Sequence, residues 1–195
     1  MTNIIEQLQE PLKAHEIDFR VQRINKSGYA TLIAYKDARV DMKRLDEVFG
    51  VHGWQRDYKQ VGSMMLCGVS IKHEGEWITK WDTGTESSAE AVKGLASDAF
   101  KRACFNFGIG RELYDYPDLQ VALRDNEWKL GSNGKPQQVW ALKLKEWRWM
   151  TQFNEHGDLV FISAVKREGD RWVNRFKWGD KVAAPETSTT EGEIT

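Results

Sequence analysis

Ile4, Ile5, Leu8 and Leu12 recur at helical spacing, and Pro11 marks the end of the helix they predict. The period then shortens to two. Asp18–Ile24 and Tyr29–Tyr35 read as strands joined by the turn cluster Asn25-Lys26-Ser27-Gly28. Asp37 is placed to cap a short helix whose apolar positions Val40, Leu45, Val48 and Phe49 end at Gly50. A three-strand meander follows, Trp54–Val61, Met64–His73 and Trp77–Asp82, turning at Gly62-Ser63 and Glu74-Gly75. In its middle strand Met65, Cys67, Val69 and Ile71 share one face, while Ser70 and Lys72 share the other.

The best-defined helix comes next. Ser87-Ser88-Ala89-Glu90 forms a capping box, and the predicted helix runs from Ser88 to about Phe107 and stops at Gly108. Ala89, Val92, Ala96, Ala99, Ala103 and Phe107 make its apolar stripe. At about 100° per residue, Lys101 lies nearly opposite that stripe and Arg102 lies on its flank. The helix is expected to pack on the meander and to turn a basic side outward.

After Pro117 the character changes, because six of the nine tryptophans fall between Trp128 and Trp178. Gly131–Pro136 is a turn-rich break, Gln138–Phe153 suits helix or strand, and Leu159–Val165 with Arg171–Trp178 reads as a hairpin. The expected organisation is an α+β core over residues 1–117 and a Trp-rich annex stacked on it over 118–182. An acidic tail over 183–195 is too poor in apolar residues to fold. No internal repeat appears.

Composition narrows the classes. With 195 residues, 41% hydrophobic and 29% charged, the chain suits one globular domain with a small annex. No apolar run approaches the ~20 residues of a membrane helix, and the acidic, amphipathic N-terminus does not read as a signal peptide. Cys67 and Cys104 stand alone in apolar surroundings and read as buried thiols of a reducing compartment, so cytoplasm is the expected location. The net charge of −1 is unevenly spread, since both ends are acidic and the stretch between them carries a small basic surplus. That permits a nucleic-acid partner without calling for one.

No catalytic signature is present: no phosphate-cradling glycine loop, no nucleophile elbow, no zinc helix. His15, His52, His73 and His156 are scattered among turns and strand ends. A metal-dependent nuclease can be assembled from Asp57 with Lys59, or Glu127 with Lys129, with Asp82 as a second metal ligand; solvated strand charges explain the same residues. Trp54, Tyr58, Trp77 and Trp81 could stack bases or simply pack. Lys101 and Arg102 could hold phosphates. Asp98, three and four residues before them, offers helix ion pairs instead.

Two separated words alter the balance. Tyr35-Lys36-Asp37-Ala38-Arg39-Val40, running to Glu47-Val48-Phe49-Gly50-Val51-His52-Gly53-Trp54, resembles the segment of the Rad-fifty-two family of single-strand annealing proteins in which a Gly-His-Arg-Val helix leads into a Phe-Gly-x-x-Gly-Trp turn. Lys93-Gly94-Leu95-Ala96-Ser97-Asp98-Ala99-Phe100-Lys101-Arg102-Ala103, continuing to Phe107-Gly108-Ile109-Gly110, resembles that family's signature helix. Arg111-Glu112-Leu113-Tyr114 continues it in the style of phage and prokaryotic members. The resemblance covers roughly Ile4–Pro117.

It implies a β-β-β-α unit that assembles into a ring or helical oligomer, with single-stranded DNA in a groove. It also implies annealing of complementary strands without ATP, cofactor or metal, in recombination and repair. A single-strand binding protein or an exonuclease is the implied type of further partner. Groove-lining positions fall on Arg39, Lys101 and Arg102; Lys93 matches another basic position of the helix, and Lys72 one linked to an outer DNA site. Phe105 stands where the family often has a further arginine, and the loop Thr83–Ser88 is short, which implies a less basic groove. A nuclease and a plain interaction scaffold remain the alternative classes.

Overall fold

A computed structural model describes residues 3–84 and 91–181, and its fold is α+β, with every sheet antiparallel. The expected capping box at 87–90 and the tail at 183–195 lie outside the described residues. Asn3 accepts the amide of Ile5 and starts α1 (Ile4–Gln9). The chain then forms the hairpin β1 (Ile17–Ile24) and β2 (Tyr29–Lys36). Asp37 accepts the amide of Arg39 and caps α2 (Ala38–Phe49). The meander β3 (Trp54–Val61), β4 (Met64–His73) and β5 (Glu76–Thr83) precedes α3 (Ala91–Phe105). Each of these elements falls within a few residues of where the hydrophobic period puts it.

Alternation in β4 sends Cys67, Val69 and Ile71 to one face, where Ala99, Phe100, Ala103 and Cys104 of α3 meet them. Leu45 of α2 and Leu8 of α1 close this core. The other face of the meander is kept flat by Gly68, across which the Trp81 indole lies; a Cβ there would stand 2.7 Å from the ring. Both thiols are buried, which pushes Cys67 up to about 11 and Cys104 up as well, so neither is a ready nucleophile.

A second core sits on the β1–β2 hairpin. Past residue 117, β6 (Leu119–Ala122) pairs with β2 and completes a three-stranded sheet. The ribbon β7 (Trp128–Leu130) and β8 (Pro136–Gln138) leads to β9 (Arg148–Phe153), β10 (Leu159–Glu168) and β11 (Arg171–Gly179). The ambiguous stretch 138–153 thus resolves into a strand end, a single 3-10 turn at Leu144–Glu146 and β9. Ile17, Phe19, Leu32 and Val121 of the first sheet share one core with Leu144, Trp147, Ile162 and Ala164. Phe19 and Trp149 stack with ring centroids 3.7 Å apart.

Two buried ionic links, neither visible as a pattern in the sequence, fasten these parts. Lys36 at the end of β2 pairs with Asp41 in α2, and its ammonium lies 4.3 Å from the centroid of Phe105 in α3. Gly110, at φ +70, leaves room for it; a Cβ there would stand 2.6 Å from Lys36 Cε. Burial pushes the Asp41 carboxyl up to about 6 against the pull of Lys36.

Glu127, 1% exposed, accepts Arg175 at 2.9 and 2.7 Å, Lys166 at 3.1 Å and the Arg124 amide at 3.0 Å. Burial alone raises its carboxyl, but the bonds from Arg175, the Arg124 amide and Lys166 outweigh that and lower it to about 2. The folded value lies below the ordinary 4.5, so the stability Glu127 contributes is complete above pH 4.5 and is lost as the pH falls toward 2. Glu127→Ala strands the buried Arg175 guanidinium and the half-buried Lys166 ammonium and is expected to cost about 3–5 kcal/mol at pH 7, read by urea denaturation. A loss under 1 kcal/mol contradicts the structural role.

Candidate nucleic-acid interface

With the apolar side of α3 seated on β4, helical geometry leaves Lys101, Arg102 and Phe105 on the other side. That side does not face open water, as the helix alone predicts. The Lys36–Asp41 link folds the hairpin back, so that Lys101, Arg102 and Phe105 look across a cleft of about 260 Å³ at Arg20 and Tyr35. Tyr114, in the 3-10 segment Arg111–Asp115, lines the cleft as well and packs edge-on to Phe105 at 5.1 Å. Arg20 lies 6.0 Å from the Tyr35 ring centroid.

The ion pairs differ from those the spacing suggests. Arg102 Nε donates to Asp82 of β5 at 3.2 Å, and the same carboxylate takes the Asn106 amide at 3.4 Å and the Thr83 N–H at 2.7 Å. Burial lowers the Arg102 value, but Asp82, together with Tyr114 and Asp98, outweighs that and the net shift is upward. Lys101 forms no ion pair among the described residues, although its charge helps to draw the Asp41 carboxyl down. Asp98 also lines the cleft. Asp82, on a strand rather than on the helix, therefore pairs with Arg102 where spacing offers Asp98, because the sheet brings β5 under the flank of α3.

The remaining expected residues do not all converge. Arg39 is exposed in the first turn of α2 and is not part of the cleft wall. Lys93 falls in the first turn of α3, and its side chain lies outside the described part. Lys72 is exposed on β4 opposite Trp77, on the meander face away from α3. Conversely, Arg20, Tyr35 and Tyr114 were not predicted. Strand alternation marks Arg20 as outward from Phe19 and Val21, but only the fold shows what stands across from it.

The nuclease sets do not form a site. Glu127 is closed within its ion cluster, and Asp82 is held by Arg102 and Asn106. Asp57 is exposed and accepts the Tyr58 amide, while Lys59 lies over Trp81 at 4.3 Å. Among the described residues, no three His, Cys, Asp or Glu side chains converge as a metal site needs. Trp54 and Trp81 are packing residues: Trp54 Nε1 donates to Asp46 at 2.7 Å, and Trp81 covers Gly68. Among the described residues, no helix is long and apolar enough to cross a membrane.

Residues 1–129 match the model of the Rad52/22 family of double-strand break repair proteins. The chain belongs to that family. The match takes in the whole cleft, from Arg20 to Tyr114, and ends within β7. Two relatives are single-stranded DNA-binding proteins DdrA. The one from Deinococcus radiodurans is 34% identical over 120 residues, 60% of this chain and 57% of the relative. The one from Deinococcus deserti is 31% identical over 157 residues, 75% of this chain and 70% of the relative. This Rad52/22 chain therefore spans little more than half the length of the first.

Proposed function

We propose that the protein binds single-stranded DNA along the α3 cleft and promotes annealing of complementary strands, without nucleotide hydrolysis, in recombination and repair. The observation that carries this reading is the convergence of Lys101, Arg102 and Arg20 on one cleft in a Rad52/22 family chain. Annealing requires a protein that holds phosphates and leaves base edges free to test a partner strand. A cation-lined cleft with few acids suits that task, and so does the name that both relatives carry. The β3–β4–β5–α3 unit is the annealing core of this reading, and the cytoplasm is where it acts.

Arg39, one helix away, and Lys93, earlier on α3, extend the track to either side of the cleft in this reading. Lys72 marks an outer site. A magnesium titration with labelled single-stranded DNA tests the reading: binding without cleavage is expected. Magnesium-dependent degradation that vanishes in Asp57→Ala favours the nuclease, and no binding at all favours the scaffold.

Assembly into a ring or helical oligomer is part of the proposal. β3 and β5 are both edge strands, and Tyr58, Val61, Met64, Trp77 and Ile78 on the meander are exposed. Neighbouring copies cover such edges and repeat the cation track. Sedimentation at micromolar concentration should give a species far larger than the 22.5 kDa monomer; a clean monomer with and without DNA removes the ring. A single-strand binding protein or an exonuclease is the kind of partner that supplies such a strand.

A further inference from the structure

The molecule has a second, larger cleft along the free edge of its first sheet. β1 is the edge strand there, and the segment from Pro136 to Glu146 runs beside it, enclosing about 730 Å³. Its walls carry four cations, Arg20, Arg23, Lys143 and Lys145, against one carboxylate, Glu146. They also carry Trp140, which is 85% exposed. An indole left in water beside a hydrophobic core is costly, since Leu142 and Leu144, close by in sequence, are buried. Lys143 Nζ lies over one face of the Trp140 ring, 4.3 Å from its centroid, and also pairs with Glu146 at 3.0 Å, so a base stacking on the indole meets a positive charge at that ring.

Arg20 belongs to both clefts. Lys145 bears electrostatically on Tyr35, which lines the α3 cleft, so the charge of the second cleft reaches the first. Lys143 and Lys145 lie beyond residue 129, where the family match ends, and so does Trp140.

We propose that this second cleft is a binding site for single-stranded nucleic acid, in which Trp140 is the platform for one unstacked base and Arg20, Arg23, Lys143 and Lys145 hold the backbone. The charge ratio selects a polyanion, and the open indole selects one whose base faces are free; a duplex hides those faces. The inference deepens the proposed function and rests on it: the strand that lies on Lys101 and Arg102 continues past Arg20 onto the C-terminal half of the chain. The fold thereby gives the segment after β8 a role in binding.

The test uses the full chain with an oligothymidine and with an abasic strand of equal length. Trp140→Ala is expected to bind oligothymidine at least about fivefold more weakly, Trp140→Phe to recover most of that loss, and neither to change binding of the abasic strand. Lys143→Ala/Lys145→Ala should weaken both strands alike and flatten the salt slope. Equal losses of Trp140→Ala on both strands assign the indole a structural role and overturn the proposal. No loss on oligothymidine, while Lys101→Ala still binds weakly, overturns it and leaves the α3 cleft standing. No loss in Lys101→Ala or in Trp140→Ala overturns both readings. A change in sedimentation with unchanged DNA affinity gives this surface to a second copy of the chain and likewise overturns the proposal.

Discussion

Lys36→Ala is expected to destabilise the protein by about 3–5 kcal/mol at pH 7, more than any single change on its surface. The substitution leaves Asp41 fully buried without its cation and empties the space against Phe105 that the lysine stem fills. The pH dependence has a definite sign. Burial already raises the Asp41 carboxyl from 3.8 to about 6, so ionising it in the folded state costs stability as the pH rises through that range. Without Lys36 the folded value rises further. The deficit of the variant should therefore be smallest near pH 5, where the emptied space is its main cost, and grow toward pH 8. Lys36→Met/Asp41→Leu, which removes both charges and keeps volume, should recover most of the loss. Urea denaturation across that range checks all of this, and equal stability of Lys36→Ala and the wild type contradicts it.

The second large effect is on DNA. Lys101→Ala and Arg102→Ala should each weaken single-strand binding roughly tenfold, the worth of about 1.4 kcal/mol, with the fold retained. The loss should be alike for unrelated sequences, and the salt slope should fall by roughly 0.7 for each phosphate contact removed. If the two residues served only ion pairs on an accessible helix flank, the same changes would cost at most ~1 kcal/mol of stability and leave binding untouched. Asp82→Asn is the informative control, because Asp82 holds Arg102 Nε. It removes a negative charge beside the track, so the cleft account expects equal or tighter binding; a marked loss contradicts it.

Most of the elements were legible because local signals agreed with the fold. The period-two runs, the Asp37 cap and the α3 stripe each name an element that the structure contains. The stripe still missed Phe100 and Cys104, which are buried as deeply as Ala99 and Ala103. The β4 face is broad enough to cover more than one line of the helix. The site was half legible. Lys101 and Arg102 could be read from the helix, but Arg20 and Tyr35 come from a ribbon far earlier in the chain. Nothing periodic links them to α3, because Lys36 makes the connection through its buried pair with Asp41 and its contact with Phe105, neither of which repeats along the chain. Glu127 misleads for the same reason. A carboxylate next to a lysine reads as chemistry until Arg175, almost fifty residues away, is seen to close on it.

Annealing of complementary strands by the full chain, without nucleotide, compared with an Arg39/Lys101/Arg102 triple alanine variant, tests the central claim most directly. The account predicts that the wild-type protein binds single strands of unrelated sequence alike and accelerates their pairing. The triple variant keeps its fold, binds far more weakly and anneals no faster than strands alone. Full affinity and full annealing in the triple variant would contradict it.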